Sequence, residues 1–210
     1  MLRILEKFFI SLHNFSYRAI SKIAIKRNKG IHPKHEILKY HDFFIKNINI
    51  EDLVLDIGCG NGILSYSLAA KAKKVFGVDI VNNNIEQAKK GNRFENLQFI
   101  CADATNYDFK RKFDKIVLSN VLEHIENRID FLQKLHKLSD IILIRIPMID
   151  RDWLTLYKKK NGYEYRLDKT HFIEYTINNL KKELNQAGWN LEQHTIQFGE
   201  IWGIVKKNMI

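Results

Sequence analysis

The apolar positions of this chain change period part-way along it. Over residues 2–27, Leu5, Phe8, Phe9, Leu12, Phe15, Tyr17, Ile20 and Ile23 recur at helical spacing among basic side chains. Asn28-Lys29-Gly30 breaks that pattern, and Pro33 can open a new helix. Residues 34–48 then read as one helix with Ile37, Leu38, Phe44 and Ile45 inward. From residue 53 short apolar runs alternate with amphipathic stretches. Strands are predicted at 53–57, 74–80, 97–101, 113–119 and 140–146, and helices at 63–71, 82–91 and 127–138. Strands and helices alternating at this pace build a mostly parallel α/β sheet covered on both faces, with right-handed crossovers.

The last third has another texture. Residues 151–166 are charged and aromatic, with Trp153, Tyr157, Tyr163 and Tyr165, and are expected to form an irregular cover or a short helix. Residues 176–188 read as a helix capped by Thr176, and 190–197 and 200–206 as two strands joined by a turn at Gly199.

Composition adds a boundary and a direction. At 210 residues and 45% apolar content the chain can bury a real core. Its two cysteines, Cys59 and Cys101, make neither a disulfide framework nor a cysteine zinc site, which suits a reducing cytoplasm. No apolar run reaches the roughly 18–20 residues that span a bilayer, and the start of the chain does not read as a secretion signal. The net charge of +10 is uneven, since residues 1–50 hold ten Lys/Arg against three Asp/Glu. An anionic partner would therefore meet the front of the protein. Residues 1–33 are a basic amphipathic extension, either packed on its own domain or a second subunit, or laid on an anionic membrane surface.

The chemistry gathers at strand ends. Residues 53–62 read Leu-Val-Leu-Asp-Ile-Gly-Cys-Gly-Asn-Gly, an apolar strand followed by a turn with Gly58, Gly60, Asn61 and Gly62. Asp79 closes the second strand, Asp103 follows the third, and Asn120 follows the fourth. Ligands of such sheets bind beyond the carboxyl ends of the strands. A carboxylate at Asp79 can accept both hydroxyls of a ribose, and one at Asp103 can accept from an adenine amine, although Asp also starts turns. The glycine spacing is Gly-x-Gly-x-Gly rather than the dinucleotide Gly-x-Gly-x-x-Gly, and no Gly-Lys-Ser/Thr of a P-loop is present. Asp56, just before the turn, would repel a pyrophosphate and suits a ligand carrying ammonium and sulfonium charges.

These segments, with Val75–Ile80, Cys101-Ala-Asp103-Ala104 and Phe113–His124, resemble the motif series of class I S-adenosylmethionine-dependent methyltransferases over residues 34–206. The resemblance implies a seven-stranded Rossmann-like sheet with its last strand antiparallel, and a methyltransferase domain over 34–210. It implies S-adenosyl-L-methionine as cofactor and S-adenosyl-L-homocysteine as product. The cofactor-binding set it implies is Asp56, Gly58, Gly60, Asn61, Gly62, Asp79, Ile80, Asp103, Ala104 and Asn120. In such a reaction the protein chiefly holds the acceptor in line with the methyl carbon, and an alcohol or amine acceptor must also lose a proton.

His124 is one candidate base; it reads equally as a turn histidine bonded to backbone. His171, after the variable cover, is the other, with a structural role in that loop as its alternative. Tyr163, Tyr165 and Arg166 could shape an acceptor pocket, and Arg145 or Arg151 could pair with an anionic acceptor. No catalytic metal is expected. Some quinone-pathway and small-RNA methyltransferases resemble Glu-x-x-Glu-His at this place, whereas here Asn120 stands first and only Glu123 and His124 remain. The expected acceptor is a small molecule, such as a sugar, nucleotide-sugar, lipid-linked or quinone-like compound, methylated on O or N by a monomer or homodimer. The alternative is an RNA methyltransferase using the basic front, although no separate RNA-binding domain is visible. A third reading, a cofactor-binding scaffold without turnover, sits poorly with the intact glycines and acids.

Overall fold

A computed structural model describes residues 1–208. Seven strands form one sheet in the order β3-β2-β1-β4-β5-β7-β6. They are β1 (Leu53–Ile57), β2 (Lys74–Asp79), β3 (Leu97–Cys101), β4 (Lys115–Ser119), β5 (Ile141–Pro147), β6 (Trp189–Gln197) and β7 (Glu200–Lys207). The first five pair in parallel, and β7 runs antiparallel between β5 and β6. The fold is thus the expected mostly parallel sheet, with β7 as the antiparallel strand.

Strand alternation divides the core. Leu55, Ile57, Phe76, Val78, Ile116 and Leu118 face one layer of helices. Their neighbours Val54, Val75, Phe99 and Val117 face the other. That double burial explains why these strands read as near-continuous apolar runs. The surrounding helices include α4 (Ile63–Ala69), α5 (Asn82–Gly91), α6 (Arg128–Leu135) and α8 (Ile177–Gln186), whose Thr176 cap accepts from the Asn179 N–H at 3.2 Å.

The β5–β7 pair carries a buried charge. Arg145 Nε and Nη2 donate to the two Glu200 carboxylate oxygens at 2.6 Å each. The guanidinium also lies 3.8 Å from the centre of the Tyr40 ring, and Trp202 Nε1 donates to Glu200 at 3.1 Å. Arg145 is thereby committed to the fold and does not meet an anionic acceptor.

Three segments differ from the sequence reading. The single helix expected over 34–48 is two, α2 (Lys34–Leu38) and α3 (Tyr40–Lys46), because Lys39 takes a left-handed conformation at φ 50°. The rotation turns Ile37 into solvent and brings Tyr40, Phe44 and Ile48 inward. The cover contains a true helix, α7 (Trp153–Lys160), capped by Asp152, whose carboxylate accepts from the Thr155 N–H at 2.7 Å. A 3₁₀ turn, Leu122–His124, follows β4.

The long N-terminal helix α1 (Leu2–Arg27) buries only Ile10. Polar contacts tether it to the cover: Lys158 Nζ donates to Asn14 Oδ1 at 2.7 Å, Asn14 Nδ2 to the Glu164 carbonyl at 3.0 Å, and the Tyr157 and Tyr163 hydroxyls to Glu6. No helix among the described residues is long and apolar enough to cross a membrane.

Candidate active site

The strand order reverses between β1 and β4, so their carboxyl ends diverge and open a crevice. A cavity of about 1010 Å³ fills it, with Gly58, Asp79, Asp103, Asn120 and His124 among its walls. The β1–α4 loop needs its glycines for two separate reasons. Gly58 and Gly62 hold φ of 69° and 83°, and a Cβ at either would stand 2.6 Å from Val121 or 2.7 Å from Phe99. Gly60, by contrast, faces open space.

Asp79 ties that loop to the turn between β2 and α5. Its carboxylate accepts from the Gly60 N–H at 2.9 Å, the Val81 N–H at 2.8 Å and Asn84 Nδ2 at 3.2 Å. Ile80 beside it is exposed along the cavity. Asp103 accepts from the Thr105 N–H and hydroxyl at 2.9 and 2.7 Å, and these bonds hold its carboxyl below the usual carboxylate range. It is therefore a turn former as well as a wall residue, with Ala104 next to it. Asn120 has φ of 57°, a conformation that asparagine tolerates better than other side chains. Its Oδ1 is buried with no hydrogen-bond partner among the described residues.

Four of the residues expected to meet the ligand are not among the walls of the cavity: Gly60, Gly62, Asn61 and Asp56. Asn61 is exposed on the loop and does not line the cavity. Asp56 lies beneath the loop, 1% exposed, accepting from the Ser65 hydroxyl at 2.6 Å. Burial pushes its carboxyl up to about 7, with Asp79 adding to the rise. The side chain at the end of an inner strand points into the helix layer rather than the crevice.

On the far wall the fold joins the two histidines that the sequence offered separately. Their ring centres are 4.6 Å apart, edge to face. The Phe172 N–H donates to the Glu123 carbonyl at 2.8 Å and so pins the His171 loop to the 3₁₀ turn. Thr170 Oγ1 lies 2.9 Å from His124 Nδ1 and donates its one proton to Asp168 at 2.8 Å, so His124 Nδ1 carries the proton of that contact. Burial, and then the neighbouring His171, hold His124 below the usual imidazole range, so the ring is neutral at neutral pH. His171 is buried, with Nδ1 3.2 Å from Glu174. Burial opposes charge on Glu174, but bonds from His171, Arg151 and the Leu167 N–H outweigh it and keep the carboxyl low.

Sequence reasoning missed the partners. Glu174 stands three residues after His171, a spacing that could have flagged the pair. Glu123 is fully buried, its carboxylate has no partner among the described residues, and burial raises it to about 8. Among the described residues, Glu123, His124 and His171 group their ligating atoms within 4.8 Å of one another. The expectation of no metal counted two adjacent ligands at 123 and 124; the fold brings a third from a distant loop. Arg151 and Arg166 are engaged with Glu174 and Glu164, and Tyr163 with Glu6, so none is free to pair with an acceptor.

The model of the methyltransferase domain family matches residues 27–194 of this sequence. The chain belongs to this methyltransferase family. Its donor is S-adenosyl-L-methionine. The ubiquinone biosynthesis O-methyltransferase of Pelagibacter ubique is 35% identical over 132 residues, 60% of this chain and 49% of that protein. The (S)-tetrahydroprotoberberine N-methyltransferase of Eschscholzia californica is 33% identical over 102 residues, 45% of this chain and 29% of that protein. The methyltransferase chain thus spans about half, or less, of the length of these curated relatives. Among solved structures, magnesium protoporphyrin IX methyltransferase of Synechocystis with bound S-adenosylhomocysteine aligns with a TM-score of 0.65 at 19% identity over 83% of each chain. At that identity the match speaks for the fold.

Proposed function

We propose that the protein transfers the methyl group of S-adenosyl-L-methionine to an oxygen or nitrogen of a small acceptor, lipid-linked or quinone-like, that it meets at an anionic membrane surface. One observation carries the transfer: Gly58, the first glycine of the loop, and Asp79 line one end of a cavity whose other wall presents His124. In this reading Gly58, Gly60 and Gly62 let the backbone approach the methionyl part, and Asp79 accepts from the ribose. Asp103 and Ala104 border the adenine, with Ile80 against it. Asn120 stands beside the methyl. The protein's contribution is largely orientation of a donor that is already activated. His124, neutral and oriented by Thr170, accepts the acceptor's proton, and His171 holds that ring in place.

The helix α1 supports the membrane part. Phe8, Phe9, Phe15, Ile20 and Ile23 are exposed on it. Arg3, Lys7, Arg18, Lys22, Lys26 and Arg27 accompany them, a charge complementary to anionic lipid. Insertion of each large apolar side chain is worth about 1.5–3 kcal/mol. The ubiquinone O-methyltransferase among the relatives also favours such an acceptor.

The test has three arms. Asp79→Ala should abolish binding of S-adenosylhomocysteine in calorimetry, and unchanged affinity would refute the donor site. His124→Ala should cut turnover far more than donor binding; full rate in both histidine variants would refute the acceptor site. Full-length protein should float with vesicles containing phosphatidylglycerol and not with neutral ones, and retention of bulk RNA with a steep salt dependence in place of flotation would favour the RNA reading.

A further inference from the structure

Glu123 presents a problem that the methyl-transfer reading leaves unsolved. Its carboxylate is wholly buried, and neither oxygen has a hydrogen-bond partner among the described residues. Buried carboxylates are ordinarily paired, hydrogen-bonded or bound to a metal. Arg145, the charged neighbour from β5, already spends its guanidinium on Glu200. A cation beside Glu123 would give those oxygens a partner.

The two histidines say what it is. His171 Nδ1 is held by Glu174, and His124 Nδ1 by Thr170, which leans in turn on Asp168. With protons on both Nδ1 atoms, each Nε2 is left with a free lone pair. A carboxylate behind a histidine is the arrangement that orients metal-bound imidazoles and raises their basicity. The three side chains come from two elements: Glu123 and His124 from the turn after β4, and His171 from the loop before α8. The Phe172–Glu123 backbone bond at 2.8 Å locks those two elements together. One donor atom of each of the three, a carboxylate oxygen and a ring nitrogen of each histidine, lies within 4.8 Å of the others. Donors about 2.0–2.2 Å from one ion stand up to about 4 Å apart, so a small side-chain movement closes the set.

We propose that Glu123, His124 and His171 bind one divalent transition-metal cation of the Zn²⁺ or Co²⁺ type at the acceptor end of the cavity. Two imidazoles and a carboxylate suit such an ion better than Mg²⁺ or Ca²⁺, which prefer oxygen donors. Three protein ligands leave a position open, as in sites where the ion also takes a substrate oxygen. His124 lines the cavity while His171 and Glu123 lie behind it, so the open position faces the acceptor. Cation binding stands apart from the proposed function; its consequence rests on the acceptor site of that reading and replaces His124 as the base there. With an ion in place, His124 holds metal rather than a proton, and an acceptor hydroxyl bound to the ion loses its proton to water more readily.

The experiment needs no acceptor. Full-length protein, stripped with a chelator and dialysed, is titrated with Co²⁺ and Zn²⁺ and followed by calorimetry, visible absorption and thermal melting. We expect one ion per chain, ligand-field bands in the Co²⁺ spectrum and a rise in melting temperature. His124→Asn and His171→Asn should each weaken binding at least about 10-fold, while His194→Asn, on exposed β6, should leave it unchanged. Glu123→Gln is the third variant; if it does not fold, His124→Asn decides, since that side chain lies at the cavity surface. Absence of stoichiometric binding, or equal affinity in all the variants, would overturn the site. Loss of cation binding with intact donor binding would separate this failure from failure of the methyltransferase reading.

Discussion

Asp56→Asn removes the one carboxylate that the fold buries directly beneath the glycine loop. Asp56 is 1% exposed, and among the described residues its side chain accepts one hydrogen bond, from the Ser65 hydroxyl at 2.6 Å, which an amide oxygen can equally accept. Burial raises its carboxyl from 3.8 to about 7. Between those two values the native state keeps a proton that the unfolded chain has lost. Stability contributed by this group therefore falls as pH rises through the window, and is level below and above it. At about 1.4 kcal/mol per pH unit the three-unit window amounts to about 4 kcal/mol. For a chain of this size that corresponds to roughly 10 °C in melting temperature. Thermal and urea melts of both proteins without ligand, from pH 4.5 to 8, would measure it. The two should nearly coincide at the acid end, and the variant should be the more stable by several kcal/mol at pH 8. Parallel curves would refute the reasoning, because they would mean that the native carboxylate ionises at no cost.

Two further outcomes are open to measurement. Gly58→Ala puts a Cβ 2.6 Å from Val121 at φ of 69°, and should cost about 1–3 kcal/mol in urea melts together with a clear loss of S-adenosylhomocysteine affinity; an unchanged protein would show the loop to be slack. Glu200→Gln leaves the Arg145 guanidinium buried opposite a neutral amide and should destabilise by about 3–5 kcal/mol, measured by the same melts, with little effect if the pair is wet.

Much of the architecture was readable along the chain, because buried parallel strands announce themselves as continuous apolar runs. Leu53–Ile57 and Leu97–Cys101 stand where the pattern placed them, and the other strand boundaries moved by a residue or two. The glycine turn was legible for a related reason: positive φ and close approach leave few residue types able to serve. Reading failed where a single backbone angle or a distant partner decided the matter. Lys39 at φ 50° split a helix whose periodicity looked unbroken, and turned Ile37 outward. Asp56 reads along the chain as an acid that faces the ligand, but its direction depends on strand alternation relative to the sheet, which hides it under the loop.

The sequence by itself determined the class of sheet, the glycine turn and polar strand ends that border its crevice, and the uneven basic charge, since each follows from local patterning. Only the tertiary structure decided what stands on the wall of the crevice opposite the glycine turn. It brought His171 against His124, left Glu123 buried without a partner among the described residues and tied Arg145 to Glu200 across two strands. Contacts between residues tens of positions apart depend on chain crossovers that no local period encodes, and there the fold supplied the chemistry.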